Sequence, residues 1–334
     1  MRLAVLAGTV LVLVGAAVGS ALTTGEASAK AQGGTLRLVA YSTPREAYAK
    51  LIDDFKDTTA GRDTSFEQSY GASGEQARAV IAGLRADIVA FSLEPDVTRL
   101  VEAKLVAPDW ADDQHKGMVS NSVVVLAVRK GNPKGIKGWD DLVRDDVEVI
   151  TPNPFTSGGA RWNVMAGYGA QLRQGKTKDE AVEYLRKLFH NVAVQDKSAR
   201  ESLQTFAGGK GDVLIAYENE AITAQQKGEE LDYVIPDETI LIENPIAVVS
   251  ESKSPEAAQA FINYTRSEPA QKVFAEKGYR SILPDLVDAE RYPKPKVMFT
   301  IAELGGWEKV MKDFFDREAG VMADIQRELG APVE

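Results

Sequence analysis

Apolar positions set the first expectations. Thr35 to Tyr41 is a nearly continuous apolar run that reads as a buried strand, and Ala47 to Phe55 carries apolar residues at the spacing of an amphipathic helix. The alternation returns in a helix from Gly74 to Leu84, a strand in Ala86 to Phe91 and an apolar run from Ser122 to Val128, which Gly131-Asn132-Pro133 ends. Asp146 to Ile150 then predicts a strand entering a loop rich in Pro and Gly, and helices at Thr177 to Phe189 and Ser198 to Phe206 flank a strand at Asp212 to Ala216. A strand at Pro245 to Val249 leads to a long helix that Ser254 caps and Pro255 opens, and one helix over Gly306 to Leu329 closes the chain. Strands alternating with helices predict an α/β fold on a mostly parallel sheet.

Length divides that pattern. A chain of 334 residues exceeds one ordinary core, so two lobes are expected, with the crossing near Val123. Residues 34–120 plus 246–302 form the first lobe and 121–245 the second, while the pattern leaves open which lobe 303–334 covers. Arg2, the apolar run Leu3 to Leu22 and Ala27-Ser28-Ala29 read as a signal peptide over 1–29, cleaved after Ala29. The run is long enough for an uncleaved anchor to be the alternative, and either way the rest lies outside the cytoplasm, in the periplasm or its equivalent.

Composition removes several classes of function. The absence of cysteine excludes disulfides, thiolate chemistry and a lipidated N-terminal cysteine. A net charge of −10 without a basic stripe argues against nucleic acid and anionic membranes. His115 and His190 have no nucleophile or metal-ligand spacing beside them, and Gly208 to Gly211 lacks the spacing of a phosphate loop and reads as a turn. Glu218 and Glu220, placed on a strand, would share one face and read as structural. No catalytic residue, metal or cofactor is expected, and an exported hydrolase is the weaker alternative.

The informative motifs are four loop-to-helix junctions. Thr43-Pro44-Arg45-Glu46, Ser73-Gly74-Glu75-Gln76 and Ser198-Ala199-Arg200-Glu201 have capping-box form, while Ser157-Gly158-Gly159 precedes Trp162, Met165 and Leu172 at near-helical spacing. A helix start leaves about four N–H groups without intrahelical partners and carries roughly half a positive charge, so each junction is able to cradle an anion. Glycine at 158 and 159 would let backbone approach a ligand closely.

Val39 to Tyr48 (VAYSTPREAY), Gln68 to Ala77 (QSYGASGEQA), Thr151 to Trp162 (TPNPFTSGGARW) and Gly211 to Ala221 (GDVLIAYENEA) resemble the periplasmic sulfate-binding proteins of ABC importers, and Arg129 to Pro133 and Phe299-Thr300-Ile301 extend the likeness. The resemblance implies a two-lobe periplasmic-binding-protein fold of type II with the ligand in the interlobe cleft. It further implies a monomeric receptor that delivers sulfate to an ABC permease in the inner membrane. In that family main-chain N–H groups, a serine hydroxyl and an indole N–H hold the dehydrated dianion. Carried over position by position, the ligand-binding residues are Ser42, Ser73, Ser157, Gly158, Gly159 and Ala199, with Arg200 in an ion pair behind the site. Tyr217 stands where the family usually has Trp. A phenol also accepts hydrogen bonds, which leaves thiosulfate, phosphate or molybdate open as the tetrahedral oxyanion bound.

Overall fold

The computed structural model describes residues 34–333, so the expected signal peptide lies outside the described residues. The chain opens with β1 (Thr35–Tyr41), α1 (Arg45–Lys56), β2 (Ser65–Gly71), α2 (Ser73–Ile81), β3 (Ile88–Ala90) and α3 (Glu94–Glu102). A long strand, β4 (Met118–Arg129), leads to β5 (Val149–Ile150), α4 (Gly158–Arg173), α5 (Lys178–His190), β6 (Val192–Val194), α6 (Ala199–Ala207), β7 (Val213–Tyr217), α7 (Glu218–Gln226) and β8 (Leu231–Val234). A second long strand, β9 (Glu238–Val248), returns to α8 (Pro255–Thr265), α9 (Glu268–Glu276), β10 (Val297–Phe299), α10 (Gly306–Phe315) and α11 (Val321–Glu328). No helix among the described residues is long and apolar enough to cross a membrane.

The strands form one sheet in the order β2-β1-β3-β9-β4-β7-β5-β6. β1 is parallel to β2 and β3, and β5 is parallel to β6 and β7, so each half is a parallel α/β unit. β4 and β9 run antiparallel to each other and join the halves. β9 pairs with β3 through Ile246 to Val248 and with β4 through Leu241 to Pro245, and β4 pairs with β7 from Val124 onward. Two lobes therefore share two crossing strands.

Burial on both faces explains why the strands read as apolar runs instead of alternating ones. Leu36, Leu38 and Ala40 pack on one side with Tyr48, Leu51 and Phe55 of α1 and with α8 and α9, while Val39 and Val89 pack with Ala77, Val80, Val97 and Leu100 of α2 and α3. In the second lobe Val124, Leu126 and Val128 face α4 and α5, and Val123, Val125 and Ala127 face α6 and α7. α4 is buried from Gly158 through Gln171, which small residues on every side permit and which removes any polar face.

Three expectations change. The long helix after Pro255 is two, α8 and α9, because Pro269 cannot continue a helix interior, and Ser254 stands at the cap position without a capping hydrogen bond. The closing helix is also two. The Asp316 carboxylate accepts from the N–H groups of Glu318 and Ala319 at 2.9 Å, and a Cβ at Gly320 would meet Asp316 backbone at 2.6 Å. Both pieces join the second lobe's core, with Trp307 edge-on to Trp162 at 4.7 Å between centroids. Finally, Val297 to Phe299, expected with the first lobe, pair with Glu238 to Ile240, and Phe299 and Ile301 enter the second lobe's core.

Candidate functional site

β1, β2 and β7 end at Tyr41, Gly71 and Tyr217, and Ser92 follows the end of β3; all four residues wall one small cavity between the lobes. Ligands of α/β sheets collect outside the carboxyl ends of strands for the same reason: each strand there hands over to a helix start. The cavity is nearly closed, with about 10 Å³ of free volume, room for roughly one water. Ser42, Ser73 and Ser92 come from the first lobe, and Ser157, Gly159, Ala199 and Tyr217 from the second. None of the residues lining it carries a charged side chain.

The supply of N–H groups follows from the caps. At α4 the Ser157 hydroxyl accepts from Ala160 N at 3.4 Å, and at α6 the Ser198 hydroxyl accepts from Glu201 N at 3.3 Å. Helix geometry leaves the N–H groups of Gly158, Gly159, Ala199 and Arg200 without intrahelical acceptors. The Glu201 carboxylate reaches Lys197 N at 3.1 Å, so the expected box at 198–201 is half formed.

The boxes at 43–46 and 73–76 do not form. Pro44 occupies the cap position of α1, and Glu46 turns across the cleft to Arg200 at 2.6 Å and to Lys227. Arg200 Nε also donates to Ser42 O at 3.2 Å, so Arg200 sits in the ion pair the resemblance implies. Despite partial burial, these two cations hold the Glu46 carboxyl down to about 2. Ala72 caps α2 without a side-chain bond, because the Ser73 hydroxyl donates to Asp96 Oδ2 at 2.6 Å and accepts from Ser92 N at 3.0 Å.

Gly158 is not among the residues that wall the cavity. A Cβ there would lie 2.0 Å from Leu93 Cδ2 and 2.8 Å from Ser92 Oγ, so its bare side presses on the other lobe, whereas the same position on Gly159 meets Ser157 Oγ, Ala199 Cβ and Tyr217 Cε1 at 3.4–3.7 Å around the cavity. Glycine at 158 permits the lobes to touch, and glycine at 159 keeps the cavity open.

Tyr41, Gly71, Ala72 and Ser92 line the cavity without having been expected there, and Ser92 is the most heavily bonded of them. Its N–H donates to Ser73 Oγ, its carbonyl accepts from Trp162 Nε1 at 2.8 Å and from Asn244 Nδ2 at 3.0 Å, and its hydroxyl lies 2.8 Å from the Tyr217 hydroxyl. The only available signal was a hydroxyl residue just past a predicted strand. Burial pushes the Tyr217 phenol far above its ordinary range, so it stays protonated. Glu218 and Glu220 lie in the first turn of α7, not on a strand. Glu218 pairs with Arg280 at 2.7 Å and 2.9 Å, and Glu220 accepts from Tyr217 N at 3.1 Å. Burial, opposed by that N–H and by Arg200, pushes Glu220 up to about 7.

The profile of bacterial extracellular solute-binding proteins matches residues 36–280. A sulfate-binding protein of Synechococcus elongatus is 43% identical over 290 residues, 83% of either chain. A thiosulfate-binding protein of Escherichia coli is 35% identical over 291 residues, 82% of this chain and 86% of the relative. Among solved structures, the sulfate-binding protein of Mycobacterium tuberculosis superposes with a TM-score of 0.83 at 42% identity, covering 85% of this chain and 100% of that one.

Proposed function

This chain belongs to the bacterial extracellular solute-binding proteins, and we propose that within them it is a non-catalytic receptor that binds sulfate in the interlobe cleft and delivers it to an ABC permease. One observation carries the reading: the cavity between the lobes is lined by neutral hydroxyl, glycine and alanine residues at helix starts. Sulfate is fully ionised at neutral pH and presents only acceptors. Peptide N–H groups of Ser73, Gly158, Gly159 and Ala199 and the hydroxyls of Ser42, Ser157 and Tyr217 would answer those acceptors without a countercharge.

Charge-assisted hydrogen bonds contribute about 1.5–3 kcal/mol each, so half a dozen offset dehydration and still reach the roughly −8 kcal/mol of micromolar binding. Donors on both sides enclose the ion only when the lobes meet, and Glu46 on α1 pairing with Arg200 and Lys227 favours the closed arrangement. The mature chain would act as a monomer in the periplasm or its equivalent after losing residues 1–29. The likeness to sulfate-binding proteins at up to 43% identity supports sulfate over thiosulfate.

A melting-temperature panel of oxyanions tests this directly. Sulfate at 100 times its dissociation constant should stabilise the folded state by about 2.7 kcal/mol, a shift of roughly 5 °C for a chain of this size. Absence of a shift with sulfate and thiosulfate alike would end the proposal.

A further inference from the structure

We infer that Ser92 and Tyr217 form a two-way hydroxyl switch that lets this site take a monoprotonated tetrahedral oxyanion, such as hydrogen phosphate, beside a fully deprotonated one. The inference rests on the oxyanion-receptor reading and adds a substrate class and a specificity-determining residue to it.

The geometry leaves the sense of one hydrogen bond free. Ser92 Oγ and Tyr217 Oη are 2.8 Å apart, both are buried, and both residues wall the cavity. Each hydroxyl has one proton and spare acceptor capacity. When Ser92 donates to Tyr217, the phenolic proton turns to the cavity and meets a ligand acceptor. When Tyr217 donates to Ser92, the phenolic oxygen faces the cavity as an acceptor for a ligand proton, and the Ser92 proton turns to a neighbouring ligand oxygen. Neither state leaves a buried polar group unpaired, so a ligand with one proton avoids the penalty that a pocket of donors alone would impose.

The switch moves protons only. Main-chain bonds to Ser73, Trp162 and Asn244 hold Ser92 in place. Three neighbouring hydroxyls are already committed: Ser73 donates to Asp96, and Ser157 and Ser198 accept from Ala160 and Glu201. An indole at position 217 would donate in one sense only.

Calorimetry with sulfate and with inorganic phosphate, at a mildly alkaline pH where phosphate keeps one proton, tests this on the purified protein, Ser92→Ala and Tyr217→Trp. The wild type should bind phosphate with a dissociation constant below about 1 mM. Ser92→Ala removes the acceptor that the phenolic proton needs when Tyr217 accepts from the ligand, so the sulfate-to-phosphate affinity ratio should rise about tenfold or more. Any general weakening of lobe contact divides out of that ratio. Tyr217→Trp should shift the ratio in the same direction and serves alone if Ser92→Ala does not fold. An unchanged ratio in the variants overturns the switch, as does a wild type that binds sulfate without phosphate. A wild type that binds neither overturns the receptor reading instead.

Discussion

Alanine at Gly158 is the sharpest probe of how the lobes meet. Its Cβ would stand 2.0 Å from Leu93 Cδ2, 2.8 Å from Ser92 Oγ and 3.0 Å from Ser92 Cβ, each on the first lobe. Leu93 is fully buried within the core, and Ser92 is fixed by three main-chain hydrogen bonds, so neither has room to retreat. Forcing one methyl into such packing costs about 1–3 kcal/mol. That cost falls on the closed arrangement alone, so sulfate affinity should drop roughly tenfold to a hundredfold while the ligand-free protein melts near the wild-type temperature. Gly159→Ala is the comparator. Its Cβ meets ordinary contacts at 3.4–3.7 Å around the cavity, so it intrudes on the ligand's space but leaves the lobes free to close, and scattering separates the two effects. Calorimetry gives the affinities, and small-angle scattering with and without sulfate reports closure. Wild-type affinity in Gly158→Ala, or closure on sulfate as complete as in the wild type, would refute the packing argument.

Two further outcomes follow from the charged groups around the cleft. Glu220 has a folded pKa of about 7 against an ordinary 4.5, so ionising it in place costs stability as pH rises between those values, on the order of 3 kcal/mol at the upper end. Glu220→Gln keeps the acceptor for Tyr217 N–H without the charge, and should raise the melting temperature above about pH 7 but hardly at about pH 5; an equal gain at both would show that the carboxyl is not strained by burial. Glu46→Gln removes the ion pairs to Arg200 and Lys227 and should weaken sulfate binding about fivefold, the worth of a partly exposed pair, and an unchanged affinity would mean the pairs do not favour closure.

Legibility varied with how local the cause was. Ala47, Tyr48, Leu51, Ile52 and Phe55 declare α1 through spacing alone, and the buried runs of β1 and β4 declare a sheet covered on both faces. Ser157 and Ser198 sit at their caps because a cap bond spans three residues. Thr43 and Ser73 belong to the same motif in sequence, yet Glu46 finds Arg200 across the cleft and Ser73 finds Asp96, partners 154 and 23 residues away. Long-range pairing overrode the local pattern. Ser92 was hidden for the same reason, since its hydroxyl meets a partner 125 residues later. The direction of Gly158 was equally invisible, because a glycine reveals closeness but not to what. Pro269, by contrast, was a readable break between α8 and α9.

How a protein of net charge −10 comes to favour a dianion then has a local answer. Two guanidiniums stand behind the cavity, each sharing its carboxylate with a second cation: Arg200 meets Glu46 at 2.6 Å beside Lys227, and Arg161 meets Asp96 at 3.6 Å beside Arg99. Burial pushes Arg161 down to about 10, which still leaves it protonated at neutral pH. Each also holds a peptide carbonyl, Arg161 that of Pro154 at 2.9 Å and Arg200 that of Ser42 at 3.2 Å, so their charge reaches the cavity by fixing and polarising peptide groups. A bare arginine in the cavity would attract any anion and depend strongly on salt. In the proposed site, oriented N–H groups beside partly compensated cations would present short-range donors instead, with an attraction that ends within about one helical turn. On that proposal selection falls to the count and sense of hydrogen bonds, the property that separates a proton-free oxyanion from a protonated one of the same shape and charge.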